Sequence, residues 1–318
     1  MDIDATLIER AAEVLRKGGL VAFPTETVYG LGADASNPEA VARIFSAKGR
    51  PADHPLIVHV ADATALDRWA VGIPLEARVL ARAFWPGPLT LVLEKAPGVP
   101  DITTGGRSTV GLRAPDQPIA QALLNAFGGG IAAPSANRFG RVSPTCADDV
   151  RGELGDRIDL ILDGGSCEVG IESTIVDTTC TPFQILRPGG ISADALEAVL
   201  GVPVARIASG EARAPGMLEA HYAPAARVLL ATSADDAHRL AREGRRVGFI
   251  GLEEAAVPAG SVALGSASTP EAYAHDLYRW LRDADAQGLD LVVAVPPPPA
   301  GIGVGVIDRL KRAAASTP

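Results

Sequence analysis

A chain of 318 residues with 47% hydrophobic and 21% charged residues has room for two domains with real cores, and its composition excludes a disordered protein. The formal charge of −9 argues against a protein that grips nucleic acid through its overall field, leaving only a local basic cleft for such a partner. Cys146, Cys167 and Cys180 form neither an even set nor a C-x-x-C pair, so neither a disulfide framework nor a zinc site is expected. The acidic start Met1-Asp2-Ile3-Asp4 lacks the layout of a signal peptide, and no apolar run approaches the roughly 20 residues of a membrane span. The expectation is a cytoplasmic protein with no membrane partner.

In chain order, Ile8, Ala11, Ala12 and Leu15 form a helical stripe over 5–17, closed by Gly18-Gly19. An apolar strand then halts at Pro24, where Thr25 and Thr27 flank Glu26 and Gly30 and Gly32 follow at a bend. Asn37-Pro38 reads as an N-cap with proline at the first helical position, and Val41, Ile44, Phe45 and Lys48 share one face. A strand is predicted over 56–60, a helix over 75–84, and strands at 89–93 and 108–113. A helix over 117–127 runs into Gly128-Gly129-Gly130. Thr145 reads as an N-cap with Asp148 and Asp149 in the first turn of a short helix. Strands near 159–163, 173–177 and 183–187 and a helix capped by Ser192 complete an α/β layered domain over 1–205. Residues 206–224 lack periodicity and read as a linker. From 225 to 318 a new alternation (strands 227–231, 246–250, 261–264 and 289–295; helices 234–243, 270–286 and 304–315) predicts a smaller doubly wound, Rossmann-like α/β domain.

No phosphate-binding loop motif is present, and Gly301, Gly303 and Gly305 form a G-x-G-x-G run without the dinucleotide fingerprint, so turn and helix packing is the expected role. His54 and His59 are five apart across a strand, on opposite faces, which is wrong for a shared metal. What accumulates is arginine or lysine beside hydroxyls and prolines at successive strand ends: Lys48 and Arg50, Thr109 and Arg113, Ser135 and Asn137, Ser143, Ser173 and Thr174, and Arg187. Each alone reads as a surface charge or a turn hydroxyl. Together they predict a cleft for a polyanion and a small carboxylate, because arginine matches both anions with a planar two-pronged donor set.

The stretch Phe23-Pro24-Thr25-Glu26-Thr27-Val28-Tyr29-Gly30-Leu31-Gly32 resembles the YrdC-like family. So do Lys48-Gly49-Arg50-Pro51 with His54-Pro55-Leu56, Pro134-Ser135-Ala136-Asn137, Ser143-Pro144-Thr145, Ser173-Thr174-Ile175-Val176-Asp177 and Leu186-Arg187-Pro188-Gly189. These motifs occur in family order over roughly the first 205 residues, and His221-Tyr222-Ala223-Pro224 with the domain beyond it resembles the longer, two-domain members. The resemblance implies a twisted mixed sheet with flanking helices. It implies a nucleotidyltransferase that joins L-threonine, bicarbonate and ATP into L-threonylcarbamoyl-adenylate and pyrophosphate, with Mg²⁺ on the triphosphate. The product would feed the tRNA threonylcarbamoyl transferase machinery that modifies the adenosine next to the anticodon, without tRNA being needed for the chain's own reaction.

By resemblance the threonine pocket comprises Thr27, His59, Arg113, Ala133 (through its backbone) and Ser173. ATP would meet Arg50, His54, Thr109, Ser135, Asn137, Ser143, Arg187 and, from the linker, Tyr222. Lys48 and Arg50 form the family's K-x-R pair, expected to stabilise phosphate or carbamate charge, while Thr25 and Asn137 would serve either the ligand or the loop that carries them. Tyr222 can reach nucleotide only if 206–224 folds over the cleft as a lid. Two alternatives are a carbamoyltransferase acting on carbamoyl-adenylate and an RNA-binding module using the same basic cleft. No acylphosphatase or zinc-finger pattern supports the first, and the acidic balance and lack of interleaved aromatics weaken the second.

Overall fold

Short apolar runs alternating with amphipathic helices build two units in the computed structural model, which describes residues 4–206 and 222–315. The first comprises Met1–Phe139, Pro144–Glu168 and Glu172–Met217, and the second Gly140–Ser143, Val169–Ile171 and Leu218–Pro318. The short pieces at 140–143 and 169–171 thus cluster away from their sequence neighbours. Residues 207–221, most of the expected linker, lie outside the described residues. Among the described residues no helix is long and apolar enough to cross a membrane.

The strands of the first unit are β1 (Val21–Phe23), β2 (Gly30–Asp34), β3 (Ile57–His59), β4 (Leu89–Glu94), β5 (Thr109–Arg113), β6 (Ile131–Ala132), β7 (Leu160–Ile161), β8 (Thr174–Asp177), β9 (Gln184–Arg187) and β10 (Ala205–Arg206). They form one mixed sheet in the order β10-β9-β8-β4-β5-β3-β6-β2-β1-β7. The expected single strand and bend at 19–32 is an antiparallel pair, Val21 opposite Gly32 and Phe23 opposite Gly30. Glycine at 32 is a packing requirement, since a Cβ there would lie 2.7 Å from Ile131 and 2.9 Å from the Phe23 ring.

Among the described residues eight helices flank this sheet: α1 (Ala5–Arg16), α2 (Pro38–Lys48), α3 (Leu66–Trp69), α4 (Leu75–Phe84), α5 (Asp101–Thr104), α6 (Pro118–Phe127), α7 (Ala147–Leu154) and α8 (Ala193–Leu200). Asn37 caps α2 as expected, accepting from the backbone N–H groups of Glu39 and Ala40. The N-cap of α7 is Cys146 rather than Thr145, because the Asp149 carboxylate reaches back to the N–H groups of both residues and fixes the helix start one position later. The two-residue period of the strands then divides the side chains. Val58, Leu91, Leu93, Val110 and Leu112 join Val41, Ile44, Leu80 and Leu196 in the main core on one face. On the opposite face Val21, Phe23 and Ile131 pack against α1 and α6, while Ile57, Val92, Ile175 and Leu186 form a small cluster of their own. His59, Thr109 and Arg113 share that second face by alternation, and Gly111 keeps it low between them.

In the second unit β11 (Arg227–Leu230), β12 (Val247–Leu252), β13 (Val262–Ala267) and β14 (Leu291–Ala294) pair in parallel in the order β11-β14-β12-β13, with α9 (Ala234–Leu240), α10 (Pro270–Ala286) and α11 (Gly303–Ala315) as crossovers and cover. Parallel strands alternating with helices match the expected doubly wound type. Gly303 is buried at the start of α11, where a Cβ would lie 2.2 Å from the Pro298 carbonyl oxygen, in line with turn and helix packing.

Two glycines give a paired test. A Cβ on Gly189 would lie 2.3–2.5 Å from backbone atoms of Glu172, Ser173 and Thr174. Gly189→Ala should therefore cost about 1–3 kcal/mol in thermal or urea unfolding of the first unit. Gly152, in the middle of α7 with nothing near its missing Cβ, should give the opposite sign, Gly152→Ala stabilising by about 0.5–1 kcal/mol.

Candidate active site

Beyond the end of β1 the chain turns on one hydroxyl. Thr25 Oγ1 donates to the Val28 carbonyl at 2.6 Å and accepts from the N–H groups of Thr27 and Val28 at 3.2 Å. Its only proton is then committed, so in the 2.8 Å contact between the two hydroxyls Thr27 must be the donor. Thr25 holds the loop, and Thr27 is left with lone pairs alone, suited to accept from an amine or hydroxyl. Thr27 is fully buried.

The register of β3 against β5 places His59 beside Arg113, both buried. Arg113 Nη2 lies 2.7 Å from Glu26 Oε1, and Nε donates to the Gly87 carbonyl at 3.3 Å. The ion pair is close but not aligned along an N–H bond, so both Glu26 oxygens and Arg113 Nη2 lack a formal hydrogen bond. At this separation charge attraction needs no linearity, and the pairing is the stronger fact. Arg113 thus keeps donors for a planar anion while its charge is compensated. The Phe23 ring meets His59 edge-on at 5.8 Å.

At the start of β4 and β8, Thr90 and Ser173 share a 2.8 Å hydroxyl contact. Arg187 closes over Ser173, with Nε and Nη2 donating to its carbonyl at 3.1 and 2.9 Å and Nη2 to its hydroxyl at 3.1 Å. The antiparallel return of β9 makes this possible, because it brings the end of β9 to the beginning of β8. Ala133 donates its N–H to the Ile57 carbonyl, which anchors the following Pro134–Asn137 loop to β3.

A second group forms where α2 ends. Lys48 is buried and its ammonium donates to the carbonyls of Ser135 and Asn137, tying the helix to that loop. Burial, and next the Arg50 charge, hold its pKa well below the ordinary lysine value. Arg50 donates to the Pro55 carbonyl at 3.1 Å and lies 6.0 Å from the Phe139 ring centroid. His54 faces the same ring at 5.5 Å, its pKa lowered by burial and then by Arg50. It sits in a turn ahead of β3, so His54 and His59 are separated by a bend rather than by the two faces of one strand. Asn137 Nδ2 donates to the Arg138 carbonyl, a loop-holding contact. Thr109, at the start of β5, is half-buried on the same face as Arg113, four residues and roughly 13 Å along the strand.

The first unit therefore sets His59, Arg113 and Ser173 at the ends of β3 and β5 and the starts of β4 and β8, with the Thr25–Val28 turn joined to them through Glu26 and Arg113, and gathers Lys48, Arg50, His54, Ser135 and Asn137 around the α2 terminus. Ser143 and Tyr222 belong to the second unit. There Tyr222 is buried at φ 64°, its ring stacked on Tyr278 at 5.8 Å with the Arg309 guanidinium 5.3 Å away. Among the described residues no group of three His, Cys, Asp or Glu could hold a metal ion. Sequence reasoning gave no role to Glu26, Thr90 or Phe139. For Glu26 a signal existed, a carboxylate inside an otherwise uncharged buried stretch, whereas the other two have none. A cavity of about 630 Å³ lined by Leu93, Glu94, Thr178, Phe183 and Leu200 lies at the opposite ends of β4 and β8 and includes none of the expected residues.

Burial, and next the Arg113 charge, push the His59 pKa down to about 3. In the unfolded chain it titrates near 6.5, so between these values the unfolded state takes up a proton that the folded state refuses. Stability should fall as pH drops from about 6.5 towards 3, by up to ~1.4 kcal/mol per pH unit, with no contribution above that window. Urea midpoints measured across it should flatten in His59→Gln. An unchanged slope would mean that His59 accepts its proton inside the fold.

The family model described as Telomere recombination matches residues 13–189, and the one described as Threonylcarbamoyl-AMP synthase, C-terminal domain matches residues 191–315. The Threonylcarbamoyl-AMP synthase of Pyrococcus abyssi is 43% identical over 327 residues, covering 98% of this chain and 95% of its own. That of Bacillus subtilis is 42% identical, covering 96% and 92%. The crystal structure of P. abyssi Sua5 complexed with L-threonine superposes with a TM-score of 0.92 at 42% identity, covering 99% of this chain and 96% of that one. With both domain models matched end to end and relatives of this identity along its whole length, the chain belongs to the Sua5, YciO and YrdC family.

Proposed function

We propose that the chain is a threonylcarbamoyl-AMP synthase, condensing L-threonine, bicarbonate or CO2 and ATP to L-threonylcarbamoyl-adenylate and pyrophosphate. The observation that carries this reading is the buried group around Arg113: its guanidinium for the threonine carboxylate, the lone pairs of Thr27 in the loop that carries Glu26 for its amine, and uncharged His59 beside the guanidinium. Supporting it are the curated relatives of that name and the related structure that holds L-threonine.

The chemistry asks little of the protein in covalent terms. The deprotonated threonine amine adds to CO2 to form a carbamate, releasing a proton. A carbamate oxygen then attacks the α-phosphorus in line while pyrophosphate leaves. Positioning and charge stabilisation carry such a step. Arg50 and Lys48 would supply positive charge on the phosphate side, with His54, Thr109, Ser135, Asn137 and Arg187 as the further ATP residues of the first unit. Mg²⁺ would arrive on the triphosphate, held mainly by its phosphate oxygens. Under this reading the adenylate passes to a transferase that modifies tRNA, and tRNA itself is not a substrate.

Pyrophosphate release from ATP should require both threonine and bicarbonate. Release without threonine would favour a carbamoyl-adenylate enzyme, and RNA binding with a steep salt dependence an RNA module. Thr27→Ala, losing one hydrogen bond worth about 0.5–1.5 kcal/mol, should raise the threonine KM about 2- to 10-fold and leave the ATP KM unchanged. Equal loss for both substrates would return the loop to a scaffold role.

A further inference from the structure

Arg113 is a buried cation on a strand that offers it little else to hold. Its Nε reaches the Gly87 carbonyl at a long 3.3 Å, and its own sheet face supplies Gly111 and half-buried Thr109 rather than an acid. The compensating charge comes from Glu26, in the loop after β1, with the two side chains 4% and 5% exposed and 2.7 Å apart. Glu26 approaches from the side on which Pro24, Thr25, Gln117, Ser166, Cys167 and Glu168 enclose a cavity of about 240 Å³. No lysine or arginine lines that cavity, and the cation paired with Glu26, Arg113, lies outside its lining. Gln117 cannot replace Glu26 as the counter-charge of Arg113, because it is neutral and its Oε1 is committed to capping α6 through Ile119 and Ala120.

We propose that Glu26 is a positioning residue for the substrate carboxylate. By pairing with one edge of the Arg113 guanidinium it fixes the plane of the fork, so that the remaining N–H donors face the carboxylate in one orientation. The inference rests on the reading that Arg113 receives the threonine carboxylate, and goes beyond it by assigning the orientation to a second residue that touches no substrate. It also predicts a sign that simple electrostatics does not. Removing a negative charge next to an anion-binding arginine should, on charge alone, tighten anion binding. If orientation dominates, binding weakens.

Glu26→Gln keeps shape and removes the charge. Threonine affinity, read by calorimetry on the full chain, should fall about 10- to 100-fold, as expected of a misplaced binding group. The ATP affinity of the same preparation should stay at the wild-type value, which reports that the site is folded. Arg113→Lys should lose threonine as well, and the double variant should be no worse than Arg113→Lys alone, since Glu26 acts only through Arg113. Tighter or unchanged threonine binding in Glu26→Gln would overturn the proposal, as would losses that multiply in the double variant or a parallel loss of ATP binding. Unchanged threonine binding in Arg113→Lys would instead overturn the role of Arg113 itself.

Discussion

The first unit is organised around the problem of keeping a guanidinium buried on the face of a central strand, β5. Arg113 is 4% exposed, and an isolated charge at that depth would be very unfavourable. The fold answers with Glu26 on the next structural layer, and that answer sets much else. Glu26 can reach only if the chain leaves β1 sharply, which Pro24 and the Thr25 hydroxyl enforce. The same turn leaves Thr27 as an acceptor. One charge thus dictates the loop geometry and, through it, the polarity of the neighbouring ligand group.

Lys48 shows the contrasting solution. Among the described residues no carboxylate lies within salt-bridge reach of it, and it spends its donors on the carbonyls of Ser135 and Asn137. Those carbonyls belong to a loop already bound to β2 and β3 through Ala133, Pro134 and Ala136. The K-x-R pair therefore divides its work: Lys48 welds helix to loop, and Arg50 lies against the Phe139 ring. Arg187 likewise presents itself through Ser173 rather than alone. Buried cations here double as braces.

The elements were largely legible, because helix caps and apolar periods are local. Asn37-Pro38 opening α2 and the stripe Ile8, Ala11, Ala12 and Leu15 in α1 needed nothing beyond nearby residues. The misplaced α7 start, assigned to Thr145, arose because the Asp149 carboxylate, four residues on, decides which backbone N–H it satisfies. The candidate site was legible as a set of residues at strand ends and through family motifs. Its internal wiring was not.

The sequence by itself determined the alternation of strand and helix and the cations and hydroxyls collected at strand termini, since these depend on spacing and composition. Only the tertiary structure decided that the Phe23–Gly32 stretch is an antiparallel pair, that His59 stands beside Arg113, and that Glu26 is the partner of that arginine. The last two pairings join residues tens of positions apart through register and sheet order, and no local period encodes them. Whether a buried charge braces the fold or faces a ligand depends on what lies across from it, and that is fixed only when the strands close on one another.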